Sequence, residues 1–157
     1  MSAGSTKIVV GVDGSPSSRA ALRWAVRQAV LTDGTVDAIM AWHVPVALTG
    51  YTWAPISANE TDNLEEDARK MLDGVISDEV EPADRHRVTA LTGNGHPADV
   101  LLQAAAGADL LVVGSRGHGT FADALLGSVS QYCVHHAHCP VLVIRGEPRH
   151  AADRLTS

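Results

Sequence analysis

The apolar residues of this chain fall into short unbroken runs separated by longer stretches of helical period. Ile8, Val9 and Val10, within residues 7–12, form a β-branched run of the kind expected where both faces of a sheet are covered. Further strands are expected at residues 36–44, 86–92, 110–113 and 141–144. Between the first two, Ser15 and Pro16 suit a helix cap and first turn, and Ala20, Ala21, Trp24, Ala25, Val30 and Leu31 supply its apolar positions until Asp33 and Gly34 end it. Arg19, Arg23 and Arg27 line another side of that helix and read as a solvated face. A charged helix over residues 58–80 turns Leu64, Ala68, Met71, Leu72, Val75 and Ile76 to one side, with Gly74 weakening it and Pro82 stopping it. Pro97 opens a short helix with Val100, Leu101, Ala104 and Ala105 inward, ended by Gly107. Residues 45–57 have no clear period and read as a loop carrying Tyr51 and Trp53. Residues 1–6 and 146–157 read as loose tails.

Strands alternating with helices predict an α/β fold: an open, doubly wound, Rossmann-like sheet of five mainly parallel strands with helices on both faces. Ligands in such sheets sit beyond the carboxyl ends of strands where the strand order reverses. Asp13, after the first strand, and Gly114, after the fourth, both belong to that edge.

The segment after the fourth strand carries the chemistry. Gly114, Ser115, Arg116 and Gly117 are succeeded by nine residues and then Gly127-Ser128, after which Val129, Tyr132, Cys133 and His136 recur at helical spacing. Glycines at 114 and 117 permit positive φ and close approach of backbone to a ligand. A helix opening at Gly127 leaves its first N–H groups, and the positive end of its dipole, directed at an anion. A competing reading starts the helix near Phe121, capped by Thr120, and buries Gly127 in its interior. Glycine costs about 1 kcal/mol there, and Ser128 with Gln131 forms a capping-box spacing. The start at Gly127 is therefore expected, with residues 121–126 as an irregular turn.

The pattern Gly114-x-x-Gly117, nine residues, Gly127-Ser128 resembles the ATP-binding signature of the universal stress protein family. The opening KIVVGVDGSPSSRAALRWA resembles that family's first strand, acidic residue and first helix, and CPVLVIR its last strand, so the likeness runs over residues 7–145. It implies a single-domain, homodimeric, ATP-binding regulator of stress responses, with a nucleotide contact at Asp13 and an adenine contact at Val44.

Length and charge narrow the partners. A chain of 157 residues holds one domain with a proper core. Its net charge of −6 disfavours nucleic acid and anionic membrane as partners. No apolar run reaches the roughly 20 residues of a spanning helix, and residues 1–7 lack a signal-peptide core, so a cytoplasmic location is expected. Cys133 and Cys139 are then expected as free thiols.

Candidate ligand contacts are Val12, Asp13, Val44, Gly114, Arg116, Gly117, Gly127, Ser128, Val129 and Ser130. Asp13 suits ribose hydroxyls, or else holds its own turn. Val12 and Val44 end strands beside an adenine, Arg116 or His118 can reach a phosphate, and residues 128–130 offer amides and hydroxyls. The ligand expected is ATP, with or without Mg2+, and cyclic AMP fits the same backbone contacts. The Cys133, His135, His136, His138 and Cys139 group matches no common zinc spacing, so no metal site is assigned. No Gly-Lys-Ser/Thr is present in the loop, the only lysines being Lys7 and Lys70, and no third glycine completes a dinucleotide fingerprint. With no pair of carboxylates for magnesium and no nucleophile beside a base, binding is favoured over turnover. Two alternatives stand: a slow ATPase or nucleotidyl-transfer enzyme using Asp13, His43 and His118, or a nucleotide-independent dimeric interaction module. In any dimer the strand at residues 141–144 is a candidate edge for pairing, and a regulatory protein partner is implied.

Overall fold

The computed structural model describes residues 4–43, 58–116 and 126–146. Five strands, β1 (Lys7–Gly11), β2 (Thr35–Trp42), β3 (Val88–Asn94), β4 (Leu110–Gly114) and β5 (Val141–Ile144), form one parallel sheet in the order β3-β2-β1-β4-β5. Among the described residues four helices join them: α1 (Pro16–Thr32), α2 (Ala58–Glu79), α3 (Pro97–Ala104) and α4 (Ser128–His136). The strand order reverses between β1 and β4, so the expected edge for a ligand is where residues 11–13 and 114–116 emerge.

Alternation along the central strands fills two cores. Ile8, Val10, Val36, Ala38 and Val112 pack against α1 and α2, whereas Val9, Ile39, Leu111 and Val113 pack against α3 and α4. In α1 the buried stripe is Ala21, Leu22, Ala25, Val26 and Ala29, which differs from the expected set. Val30 and Leu31 lie five and six residues beyond Ala25 and so rotate off the sheet-facing side, to 44% and 80% exposure, whereas Ala29, four beyond, stays on it. Met71 of α2 is likewise exposed rather than inward. The helix end is Asp33 itself, left-handed at φ 51°, rather than Gly34, whose Cβ position is closed by the Thr6 carbonyl.

The arginine row is not simply solvated. Arg19 Nη1 and Arg23 Nη1 lie 3.2 and 2.5 Å from the two carboxylate oxygens of Glu79, tying α1 to the end of α2. Residues 86 and 87, expected in the third strand, belong instead to a 3-10 turn, Pro82–Arg87. There Arg85 donates to the carbonyls of Val80 and Ser77 and closes the end of α2, so β3 begins two residues later than expected. Gly93 stays within β3 because the space of its missing Cβ is taken by Val100 of α3. Residues 5 and 6 are tied down: Ser5 Oγ donates to Asp33 O, and Thr6 O accepts from Thr35 N at 2.8 Å. Among the described residues no helix is long and apolar enough to cross a membrane.

Candidate functional site

Where β1 and β4 end, a cavity of about 640 Å³ opens between the turn after β1 and the start of α4. Val12, Ile39, Ala41, Leu101 and Val113 give it apolar walls, and Asp13, Ser18, Arg116 and residues 127–131 give it a polar side. Eight of the ten expected contacts, Val12, Asp13, Gly114, Arg116, Gly127, Ser128, Val129 and Ser130, line this one space. Val44 and Gly117 lie outside the described residues, as do His118 and the aromatic pair Tyr51 and Trp53.

The second half of the site is a helix N-terminus, as expected. Gly127 is the N-cap, extended at φ −67° and ψ 162°, and the first intrahelical bond runs from Gln131 N to Gly127 O at 3.0 Å. The amides of Ser128, Val129 and Ser130 therefore precede the helical ladder and face the ligand edge with the positive end of the dipole. A helix continuous through Gly127 is excluded by that extended cap.

Three details correct the sequence reading. Ser128 is the first helical residue, and no side chain caps α4, so the Ser128–Gln131 capping box is not formed. The Gly127 N–H is not open to a ligand, because it donates to Ser115 O at 2.6 Å. Ser130 is 2% exposed, and its hydroxyl donates to Gly127 O at 2.9 Å, so it braces the cap from inside.

Gly114 is a fourth correction. Positive φ occurs at Gly14, Gly95 and Gly107 among the described glycines and not at Gly114. Its missing side chain serves helix packing instead: a Cβ there would stand 2.5 Å from Ser17 Oγ and 2.8 Å from the backbone at residues 17 and 18.

Asp13 closes its own turn, Oδ1 accepting from Ser15 N at 2.9 Å, while also lining the cavity. Ser18 Oγ accepts from Asp13 N at 3.2 Å and donates to Ser15 O at 3.0 Å. Ser18, Leu101 and Gln131 are lining residues that sequence reasoning missed. Their signal was weak, since Leu101 has the spacing of an ordinary core residue and Ser18 that of a polar first turn.

At the far end of α4, Cys133 is fully buried in the α3–α4 core, with Cys139 packed against the same cluster, and both thiols are free. Burial, with Cys139 beside it, pushes the Cys133 thiol up to about 11. The rings of Tyr132 and His136 touch at a tilt of 44°, with centroids 4.1 Å apart. Among the described residues no group of three or more His, Cys, Asp or Glu side chains is arranged to hold a metal.

The chain is similar to known proteins along nearly its whole length. It is 35% identical over 151 residues to a universal stress protein of Mycolicibacterium smegmatis, an alignment taking in 93% of this chain and 50% of that one. The chain thus spans about half the length of the curated relatives it matches. Among solved structures, a universal stress protein in complex with cAMP superposes with a TM-score of 0.67 at 27% identity, covering 90% of this chain and 98% of the other. An Arabidopsis thaliana universal stress protein family protein with AMP bound gives a TM-score of 0.58 at 24% identity, with 94% of each chain covered. The family model for the universal stress proteins matches residues 4–145, and the chain belongs to that family.

Proposed function

We propose that this chain is an adenine-nucleotide-binding regulatory protein that takes ATP in the cavity between β1 and β4. One observation carries the reading: the unladdered amides of residues 128–130 open into the same cavity as Asp13 and the apolar ends of β1, β2 and β4. A base fits the apolar walls formed by Val12, Ile39 and Val113, with ribose near Asp13 and phosphates at the start of α4. Arg116, at the rim, supplies a cation for the outer phosphates. Val44 and Gly117 complete the contact set by resemblance.

Asp13 is the one carboxylate among the described lining residues, and one of its oxygens already holds Ser15 N. That donor set does not fit a magnesium ion held by the protein alone. It favours binding over turnover; of the three residues the slow-ATPase reading needs, Asp13 and His43 line the cavity, His43 exposed at its rim, and His118 lies outside the described residues. The relative solved with cAMP supports an adenine nucleotide of some kind and keeps cyclic AMP as the second reading.

The nucleotide state would act by altering contacts with a protein partner. Residues 1–157 form a single nucleotide-binding domain, in a cytoplasmic protein that pairs with a second copy through β5, whose residues are all partly exposed at the sheet edge. The test is mass spectrometry of what co-purifies, then titration with ATP, AMP and cyclic AMP. Micromolar binding of ATP above the others is expected; no binding of any of the three rejects the proposal.

A further inference from the structure

The first turn of α1 carries three buried hydroxyls, Ser15, Ser17 and Ser18, at 2%, 5% and 4% exposure. Ordinary capping accounts for part of this set: Ser15 Oγ accepts from Ser18 N, and Ser18 bonds back to Ser15 O. Ser17 takes no part in the cap. Its Oγ reaches across to Arg116, donating to the carbonyl at 2.5 Å and lying 3.3 Å from the N–H, while Ser15 Oγ reaches the same carbonyl at 3.2 Å.

Each polar backbone group of residues 115 and 116 is thereby held. Ser115 N donates to Ile144 O at 2.8 Å, and Ser115 O accepts from Gly127 N at 2.6 Å. Arg116 N and O both go to Ser17. The two-residue segment that leads from β4 into the cavity is thus pinned to β5, to the cap of α4 and to α1 at once. Two glycines make room for the third attachment: Gly114 on β4 and Gly146 after β5 both face Ser17, at 2.5 Å and 3.4 Å from their would-be Cβ atoms.

We infer that Ser17 is a positioning residue for the phosphate end of the nucleotide site, fixing the Ser115–Arg116 peptide relative to the α4 N-terminus. This rests on the nucleotide reading proposed for the cavity. A ligand's phosphates lie between the peptide that Ser17 holds and the amides of residues 128–130, and a preset distance between them lowers the ordering cost of binding. Adenine and ribose, which sit toward Val12 and Asp13, do not depend on that distance. Ser17 therefore acts through Arg116 and touches no ligand itself.

The experiment compares calorimetric titrations of ATP and of adenosine into the wild-type chain, Ser17→Ala and, as a control, Thr32→Ala, which removes a hydroxyl–carbonyl bond at the other end of the same helix. Ser17→Ala is expected to bind ATP about tenfold more weakly and adenosine within about twofold of wild type, the tenfold loss being about 1.4 kcal/mol. Thr32→Ala should leave both unchanged. Equal losses for the two ligands, or none, overturn the positioning role while leaving the nucleotide reading intact. A wild-type chain that binds neither ligand ends both. If Ser17→Ala does not fold, hydrogen exchange of the Arg116 amide in ligand-free wild type decides: protection well beyond that of an open loop is expected, and exchange at the open-loop rate overturns the inference.

Discussion

Arg23 Nη1 sits 2.5 Å from Glu79 Oε2, joining the middle of α1 to the last residue of α2, and Arg19 takes the other carboxylate oxygen. The Glu79 side chain is 16% exposed. Burial alone would raise its pKa, but hydrogen bonds and charge from Arg23 and Arg19 outweigh it and hold the group below its usual 4.5. A depressed carboxylate stabilises the fold fully above about pH 4.5 and loses that contribution as pH falls through the lower folded value. Urea midpoints should therefore drop on acidification below about pH 4.5, and Glu79→Gln should flatten that drop. At pH 7 the variant should be less stable by about 1 kcal/mol, since Arg23 loses its anion while Arg19 keeps Asp78 at 3.4 Å, and both guanidinium groups are partly exposed to solvent.

Cys133 gives the opposite limb of the pH profile. Its folded thiol is pushed up to about 11 from 9.0 by burial and by Cys139. Below pH 9 both folded and unfolded chains keep the proton, and the stabilisation is whole. As pH rises towards 11 the unfolded chain ionises first, so stability falls. Alkaline denaturation curves should show this loss in wild type and less of it in Cys133→Ala. A thiol reagent at pH 8 should modify Cys139, which is partly exposed, before Cys133, whose labelling should wait on unfolding.

Gly74 lies inside α2, and a Cβ built on it meets nothing within 4 Å. It is also exposed. Nothing in the fold uses its conformational freedom, so Gly74→Ala should stabilise the chain by about 0.5–1 kcal/mol. A rise in thermal midpoint without change in nucleotide binding checks this.

Much of the fold was legible because β1, β4 and β5 are short apolar runs and two helices carry a proline at their start: Ser15-Pro16 and Pro97 open α1 and α3 where expected. The parallel sheet followed from the alternation of strands and helices, whereas the order β3-β2-β1-β4-β5, with its reversal between β1 and β4, is a finding of the structure. Less legible were facts set by a neighbour distant in sequence. Arg23 reads as a surface residue until Glu79, fifty-six positions on, is beside it. The Ser128–Gln131 spacing resembles a capping box, but Gly127 takes the cap because its own N–H is drawn to Ser115 O. The meaning of Gly114 was hidden in the same way. A glycine after a strand in a phosphate-loop pattern reads as one that makes way for a ligand, and here it makes way for Ser17.

The close approach of Gly114 to Ser17 bears on stability apart from nucleotide binding. In Gly114→Ala the new methyl would stand 2.5 Å from Ser17 Oγ and 2.8 Å from the carbonyl carbon of Ser17 and the nitrogen of Ser18. The hydroxyl can rotate away, but the backbone of α1 cannot move without disturbing Ala21 and Leu22, both fully buried against the sheet. Overpacking of this kind costs about 1–3 kcal/mol. The variant should therefore lose stability in urea whether or not nucleotide is present. A glycine kept only for a ligand's approach would behave otherwise, with Gly114→Ala unfolding like wild type in the absence of nucleotide and differing only when ATP is added. Equilibrium unfolding of ligand-free wild type and variant distinguishes the two, and an unchanged midpoint would return Gly114 to the ligand.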